Sequence, residues 1–362
     1  MIRHKDHFHG SDLEQIEKIY GIKKEDIVSF SANVNPLGIS PKLRQNLSEH
    51  IDAIQSYPDR EYTALRAAIA GYCGCESDKV IVGNGSTELI SLFIQIIHPK
   101  RALILGPTYS EYEHELSLDG GRSSYYPLHS ADDFALDLSD FTSRLSDDID
   151  MLILCNPNNP TSTCLDRSTL RLILDACMEH DIYVMIDETY VEFAADYEKV
   201  TAVPLASYYN NVIILRGTSK FFASPGLRLG YAITGNANIL SQINRVKNPW
   251  MINSLAEIAG TIMFSDAEYM DETRSLISRE RERVYNALKA SDRYTPYTPT
   301  ANFMLIKIED PTLSSGSLFD RCIREKMMIR DCSTFPFLDD RFIRICFMQP
   351  ADNNHLLSVL LK

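Results

Sequence analysis

The sequence has no long apolar run. Its apolar runs, such as Met151–Cys155, are far shorter than the ~20 residues that a membrane-spanning helix needs, so we expect no membrane segment. Residues 1–7 carry charges with no apolar stretch behind them. Because a secretory signal requires such a stretch, we expect no signal and predict a cytoplasmic protein.

Clusters of basic residues are also absent. Lys and Arg together number 36, against 49 Asp and Glu, which gives a formal net charge of −13. An acidic chain without a basic patch binds nucleic acid poorly, so we expect no nucleic-acid partner. A few well-placed basic groups can still bind small anions.

The cysteines and histidines form no recognisable metal or redox motif. The eight cysteines are scattered, and the close pair Cys73 and Cys75 lacks the CxxC spacing, so we expect reduced intracellular thiols. His4, His7 and His9 cluster near the N-terminus. Terminal histidines are usually solvated, and a metal site needs a rigid frame, so we predict no bound metal.

The 362 residues are 44% hydrophobic and 23% charged, which is typical of a soluble globular chain with about two domains. Short, near-continuous apolar runs alternate with stretches of helical periodicity. Such runs are typical of strands covered on both faces, so the alternation predicts an α/β fold with a mostly parallel sheet. The predicted strands are 79–82, 102–105, 151–155, 183–186, 212–215 and 229–233, and the predicted helices include 87–97 and 170–180.

The C-terminal third has a different pattern. A long, highly charged helical stretch from 254 to about 290 is followed by predicted strands at 302–308 and 342–347, which indicate a second sheet. The expected parts are an N-terminal arm that joins the small domain (1–45), a large domain (46–250) and a small C-terminal domain (251–362).

Two polar motifs follow predicted strands, at the sheet edge where α/β proteins bind ligands. Residues 83–88 (GNGSTE) lead from a strand into a helix, so the glycines allow close approach and the free N–H groups favour an anion. Residues 156–161 (NPNNPT) place amide side chains at another strand end. Taken alone, each motif fits an ordinary turn equally well, and neither GxGxxG nor GK[ST] is present in residues 83–88.

Three charged residues follow later strands. Asp187 is the first polar residue after a buried strand, where a carboxylate needs a cation unless it merely caps a helix. Lys220 lies between a hydroxyl and aromatics, and a desolvated lysine loses its charge readily, as an amine nucleophile requires. Arg228 could hold a phosphate in bidentate fashion. Together the motifs supply what pyridoxal 5′-phosphate needs: a lysine for the aldehyde, a carboxylate for the ring nitrogen, donors for the phenolate oxygen and an anion cradle.

These motifs are similar to those of fold-type I pyridoxal-phosphate enzymes of the aspartate aminotransferase superfamily, over nearly the whole chain. The resemblance implies a large domain with a mostly parallel sheet, a smaller α/β domain, and pyridoxal 5′-phosphate as cofactor. It implies that Lys220 bonds to the cofactor and that Asp187 pairs with the pyridine nitrogen. It implies that Tyr57 reaches the cofactor phosphate of a neighbouring subunit, in a homodimer with shared active sites. The other implied cofactor contacts are Tyr109 against the ring, Asn159 and Tyr190 at the ring oxygen, and Ser86, Thr87, Ser219 and Arg228 at the phosphate.

Two families within this superfamily resemble the sequence: histidinol-phosphate aminotransferases and the threonine-phosphate decarboxylases of cobalamin biosynthesis. Residues 30–38, 248–253 and 329–332 are more similar to the decarboxylases. The resemblance implies a small phosphorylated substrate, with Arg344 as the preferred carboxylate ligand. The implied substrate contacts are His9, Gly10, Asn33, Arg330 and Arg344.

We therefore expect decarboxylation of an amino-acid O-phosphate, phospho-L-threonine or phospho-L-serine, to an amino-alcohol phosphate. The alternative is transamination of a phosphorylated substrate, such as histidinol phosphate or a three-carbon keto phosphate. The same residues serve both reactions, because the choice rests on which bond to Cα stands perpendicular to the cofactor ring. A non-catalytic protein of this fold would be expected to lack Lys220 or Asp187. Three positions depart from the family pattern: Ser11 and Ser162 stand where glycine is usual, and Gly217 stands where a hydroxyl is frequent.

Overall fold

The computed structural model describes residues 12–362. Its α-helices are α1 (Leu13–Tyr20), α2 (Pro41–Glu49), α3 (Thr63–Cys73), α4 (Ser86–Ile97), α5 (Glu111–Leu118), α6 (Leu138–Ser143), α7 (Arg167–Glu179), α8 (Tyr197–Val200), α9 (Ala237–Val246), α10 (Ser254–Met263), α11 (Ala267–Lys289), α12 (Ser315–Arg324) and α13 (Pro350–Leu360). Its strands are β1 (Val28–Ser29), β2 (Val80–Gly83), β3 (Arg101–Gly106), β4 (Arg122–Pro127), β5 (Met151–Cys155), β6 (Tyr183–Asp187), β7 (Val212–Gly217), β8 (Gly230–Ile233), β9 (Tyr294–Pro296), β10 (Phe303–Ile308), β11 (Met327–Met328), β12 (Arg330–Asp331) and β13 (Phe342–Cys346). No helix of this part of the chain is both long and apolar enough to cross a membrane.

A seven-stranded sheet has the order β2-β8-β7-β6-β5-β3-β4. The strands from β7 to β4 run parallel, whereas β8 is antiparallel to both of its neighbours. Alternate residues face two separate apolar cores, with Leu152 and Leu154 on one side and Met151 and Ile153 on the other. Burial on both faces explains the near-continuous apolar runs, and the predicted α/β fold with a mostly parallel sheet is confirmed.

The predicted strands of this sheet lie within two residues of the observed ones, but β4 was not predicted. It forms an edge of the sheet, and of its six residues only Tyr126 is fully buried. Its sequence, RSSYYP, therefore lacks the apolar run by which the inner strands are recognised.

A second, antiparallel sheet with the order β12-β13-β10-β9 lies in the C-terminal part of the chain. The short parallel pair of β1 with β11 joins the N-terminal segment to this part. The helical stretch expected from 254 to 290 is two helices, α10 and α11, because the chain turns at residues 264–266. The division into domains at residues 45 and 250 stays a prediction.

The strand ends bring the predicted motifs together. Because β5, β6 and β7 are parallel, Cys155, Asp187 and Gly217 end at the same edge of the sheet. The antiparallel sheet adjoins this edge, since Arg344 of β13 donates a hydrogen bond to Asn159, which follows β5. The candidate site is therefore formed by both sheets.

Candidate active site

One cavity of about 310 Å³ lies at this edge. Its volume suits a small organic ligand. Residues from both ends of the sequence and from both sheets line it, among them eleven of the predicted site residues: Ser86, Thr87, Tyr109, Asn159, Asp187, Tyr190, Ser219, Lys220, Arg228, Arg330 and Arg344.

Lys220 lies in the loop after β7, and its amine donates a hydrogen bond to the carbonyl oxygen of Ala32 at 2.8 Å. Burial of the amine, and then the positive charge of Arg344, lower the pKa of Lys220 to about 8. Near neutral pH a fraction of roughly one tenth is therefore neutral and able to attack an aldehyde.

Asp187 ends β6 and is only 5% exposed. One carboxylate oxygen accepts a hydrogen bond from the Tyr112 hydroxyl at 2.7 Å. The other accepts from the hydroxyl of Thr189 at 2.6 Å and from its backbone N–H at 2.9 Å. Three donors thus hold the carboxylate in place. Within residues 12–362 Asp187 has no ion-pair partner, so the site fits a cationic ligand group.

The start of α4 forms an anion cradle. The helix begins at Ser86 with no side-chain cap, which leaves backbone N–H groups for a ligand. The Arg228 guanidinium lies beside it and donates to the carbonyl oxygen of Asn84 at 3.3 Å. A Cβ on Gly85 would lie 2.4 Å from Arg228 Nη2, and Gly85 has a φ of +84°. Glycine is therefore favoured here by the backbone conformation, and a larger side chain would displace the Arg228 guanidinium from the cradle.

Asn159 and Tyr190 also line the cavity. The Asn159 side-chain oxygen accepts a hydrogen bond from Arg344. The Tyr190 hydroxyl accepts from the Asn33 amide at 3.4 Å, and burial raises the pKa of Tyr190 to about 12. The tyrosine is thus protonated at neutral pH and able to donate a hydrogen bond.

Arg330 and Arg344 lie on adjacent strands of the second, antiparallel sheet. They are directly opposite in the antiparallel pair of β12 and β13, an arrangement that places like charges side by side. Burial, followed by the charge of Arg344, lowers the pKa of Arg330. Arg344 is 5% exposed and donates to the neutral oxygens of Asn159 and Ser31, and among residues 12–362 its Nε has no hydrogen-bond partner. Such a pair favours anionic ligand groups.

The other predicted residues lie elsewhere. Asn33 does not line the cavity, but its side-chain amide donates a hydrogen bond to the hydroxyl of Tyr190, which does. Tyr57 is 78% exposed and packs on Trp250, with 4.5 Å between ring centroids. His9 and Gly10 lie outside the described residues.

Sequence reasoning missed Tyr112, Thr189 and Ser31, all of which line the cavity. Thr189 lies two residues after Asp187, a spacing at which a hydroxyl can reach a carboxylate. Tyr112 lies three residues after Tyr109, which places both near the start of one helix. Only this local spacing could have indicated them.

The donor set fits pyridoxal 5′-phosphate. Lys220 offers an amine of lowered pKa, Asp187 an unpaired carboxylate for the ring nitrogen, and the start of α4 with Arg228 a phosphate cradle. Tyr109 and Tyr190 supply aromatic surface and a hydroxyl donor. Fold and cavity together define the class of fold-type I pyridoxal-phosphate enzymes.

The chain belongs to the aminotransferase class I and II family, whose model matches residues 25–360. It is accordingly a pyridoxal-phosphate-dependent enzyme, and its cofactor is pyridoxal 5′-phosphate.

Its relatives have two different names. A protein of Caldanaerobacter subterraneus, provisionally named threonine-phosphate decarboxylase, is 35% identical over 91% of this chain and 88% of its own length. The threonine-phosphate decarboxylase of Salmonella typhimurium is 31% identical over 97% of this chain and 95% of its own. The crystal structure of the histidinol-phosphate aminotransferase from Clostridium acetobutylicum superposes with a TM-score of 0.85, at 33% identity over 92% of this chain and 97% of that one.

Proposed function

We propose that this enzyme decarboxylates an amino-acid O-phosphate, phospho-L-threonine or phospho-L-serine, to the amino-alcohol phosphate. The observation that carries the proposal is the pair Arg330 and Arg344, opposite each other on adjacent strands and lining the cavity of Lys220. A substrate with a carboxylate and a phosphate offers one anionic group to each guanidinium. The two relatives named threonine-phosphate decarboxylase support this reaction.

The proposed cofactor contacts are those that the family resemblance implies, and in support of them all of these residues line the cavity. Asp187 pairs with the ring nitrogen, Tyr109 covers the ring, Asn159 and Tyr190 bind the ring oxygen, and Lys220 bonds to the aldehyde carbon. The phosphate is held by Ser86, Thr87, Ser219 and Arg228. When bound, pyridoxal phosphate takes up the electron pair that is released as a bond to the substrate Cα breaks.

Lys220 and Arg344 have separate roles in the proposed reaction. Arg344 holds the substrate carboxylate, and its own position is fixed by the carbonyl oxygen of Ser31 at 2.5 Å and by Asn159. The direction in which the carboxylate is held decides whether the bond to CO₂ or the bond to hydrogen is broken. After CO₂ leaves, the Lys220 amine would return a proton to Cα as a general acid.

The decisive experiment supplies the holoenzyme with phospho-L-threonine, and separately with phospho-L-serine, in the absence of any keto acid. We expect CO₂ and the phosphorylated amine to form over many turnovers, and a Lys220→Ala variant to form neither. The faster substrate identifies the natural side chain. One equivalent of keto product per site, without CO₂, would instead show an aminotransferase.

That second activity is supported by a specific observation, the likeness to the histidinol-phosphate aminotransferase structure. An aminotransferase would place the Cα–H bond perpendicular to the ring, with Lys220 as the base that moves the proton. Turnover of histidinol phosphate or of a three-carbon keto phosphate, dependent on a second amino-group partner, would establish it.

The active unit that we propose is a homodimer in which Tyr57 contacts the cofactor phosphate of the neighbouring subunit. In support, several large apolar side chains near Tyr57 are exposed: Ile51 and Ile54, which precede it in the chain, and Trp250, on which its ring packs. Solvent-exposed clusters of this kind are typical of protein interfaces. Mixing Lys220→Ala with Tyr57→Ala subunits should restore activity, because one site of each mixed dimer is intact; no recovery would contradict shared sites.

The proposed contact of His9 and Gly10 with the substrate phosphate is tested separately. His9→Ala should raise KM for the phosphorylated substrate and leave cofactor binding unchanged, because the cofactor cradle is built from other residues. An unchanged KM would show that His9 does not bind the substrate phosphate.

A further inference from the structure

Tyr112 lies in the first turn of α5 and is fully buried. Its hydroxyl donates to Asp187 at 2.7 Å. Burial, and then the negative charge of Asp187, raise the pKa of Tyr112 well above its usual range. The phenol is therefore protonated near neutral pH and able to donate to the carboxylate.

The second carboxylate oxygen is held from the opposite side. Thr189 donates to it through its hydroxyl at 2.6 Å and its backbone N–H at 2.9 Å. Both oxygens of Asp187 are thereby fixed, while the residue still lines the cavity. Hydrogen bonds to a charged group are about twice as strong as neutral ones, so these donors stabilise the anion substantially.

We propose that Tyr112, together with the Thr189 hydroxyl, is a positioning residue that holds the Asp187 carboxylate directed at the cofactor ring nitrogen. The inference rests on the proposed role of Asp187. Tyr109 lies just before α5 and also lines the cavity, with its ring perpendicular to that of Tyr112 at 5.6 Å. The start of α5 and the residues just before it thus supply both aromatic surface beside the site and a donor to its carboxylate.

The consequence concerns charge on the bound cofactor. When the cofactor is bound, the Asp187 carboxylate beside the ring nitrogen would keep that nitrogen protonated, and this positive charge would repel the proton on the Lys220 nitrogen. If the carboxylate moves away from the ring nitrogen, the ring carries less positive charge, and the Lys220 nitrogen keeps its proton to higher pH. Loss of the Tyr112 donor should therefore raise the pH midpoint of the visible absorption band of the holoenzyme.

The test compares Tyr112→Phe with a matched control, Tyr126→Phe. Tyr126 is also buried and also donates to a carboxylate, that of Asp140 at 2.8 Å, but it does not line the cavity. For Tyr112→Phe we expect the dissociation constant of pyridoxal phosphate to rise at least about tenfold and the pH midpoint to rise by about half a unit. The control should change neither quantity.

Two further sets of variants make the outcome unambiguous. Thr189→Val should shift the midpoint in the same direction, and Thr189→Ser, which retains a hydroxyl, should restore it; these variants decide the question if Tyr112→Phe does not fold. Asp187→Asn serves as the reference. If it shifts both quantities but Tyr112→Phe and Thr189→Val do not, the inference is wrong; if Asp187→Asn shifts nothing, the proposed role of Asp187 is wrong.

Discussion

Glu192 should make the stability of this protein depend on pH in an unusual direction. It follows Tyr190 in a short turn, is 1% exposed, and neither of its carboxylate oxygens has a hydrogen-bond partner within the described residues. Burial raises its pKa from 4.5 to about 7, against the attraction of Arg216 and Arg274 and with the repulsion of Glu188. Arg216 is already paired with Glu188 at 2.7 Å, so it does not neutralise Glu192.

The size of this effect on stability follows from the difference in proton binding between the folded and unfolded states. The folded protein binds the Glu192 proton more tightly than the unfolded chain does. Glu192 therefore does not lower the free energy of unfolding below pH 4.5, and it lowers that free energy by the full amount above about pH 7. A pKa increase of this size corresponds to about 3 kcal/mol. Glu192→Gln, which resembles the protonated form, should therefore unfold like wild type near pH 5 and be more stable by up to about 3 kcal/mol near pH 8.5.

The assay is urea unfolding of both holoenzymes at several pH values between 5 and 8.5. Glu188→Gln is the control within the same buried network. It leaves the Arg216 guanidinium, which is 0% exposed, without its carboxylate, and should destabilise by about 3–5 kcal/mol near pH 5, where Glu192 is protonated and cannot replace Glu188. If the difference between Glu192→Gln and wild type did not change with pH, the reasoning about Glu192 would be refuted.

Three other substitutions test the site and its frame. Lys220→Ala should abolish turnover and the visible band of the bound cofactor; a yellow, active variant would exclude Lys220 as the covalent ligand. Gly85→Ala should weaken cofactor binding at least tenfold in a titration, because its Cβ would lie 2.4 Å from Arg228, whereas Gly226→Ala, with open space around it, should bind normally. Equal affinities would contradict the cradle. Ser162→Ala should lower stability by about 1–3 kcal/mol in thermal unfolding, because the Ser162 hydroxyl accepts hydrogen bonds from the backbone N–H groups of residues 300 and 301. An unchanged melting temperature would show that these bonds contribute nothing.

The inner strands could be predicted from the sequence because each is buried on both faces. The run at Met151–Cys155 is apolar throughout, and its predicted and observed bounds agree. The edge strand Arg122–Pro127 lacks this signal, since solvent covers part of it. The break between α10 and α11 was missed because a helical pattern lies on both sides of it and does not show where the chain turns.

The motifs of the cavity could be predicted because each follows a strand end, and parallel strand ends converge. What could not be predicted is contact between distant segments. Nothing in the sequence places the carbonyl oxygen of Ala32 next to Lys220, 188 positions away, or the hydroxyl of Tyr112 on Asp187, 75 positions away. Such contacts depend on how the strands are ordered and how the helices pack between them.

The cavity also separates catalysis from specificity. Lys220 and Asp187 come from the ends of the parallel strands and serve either decarboxylation or transamination. Arg330 and Arg344 come from the antiparallel sheet, where they lie directly opposite each other. In the function that we propose, each binds one anionic group of the substrate, and together they set how the substrate lies relative to Lys220. On that proposal the antiparallel sheet decides which bond is broken, while the parallel sheet supplies the chemistry that both reactions share.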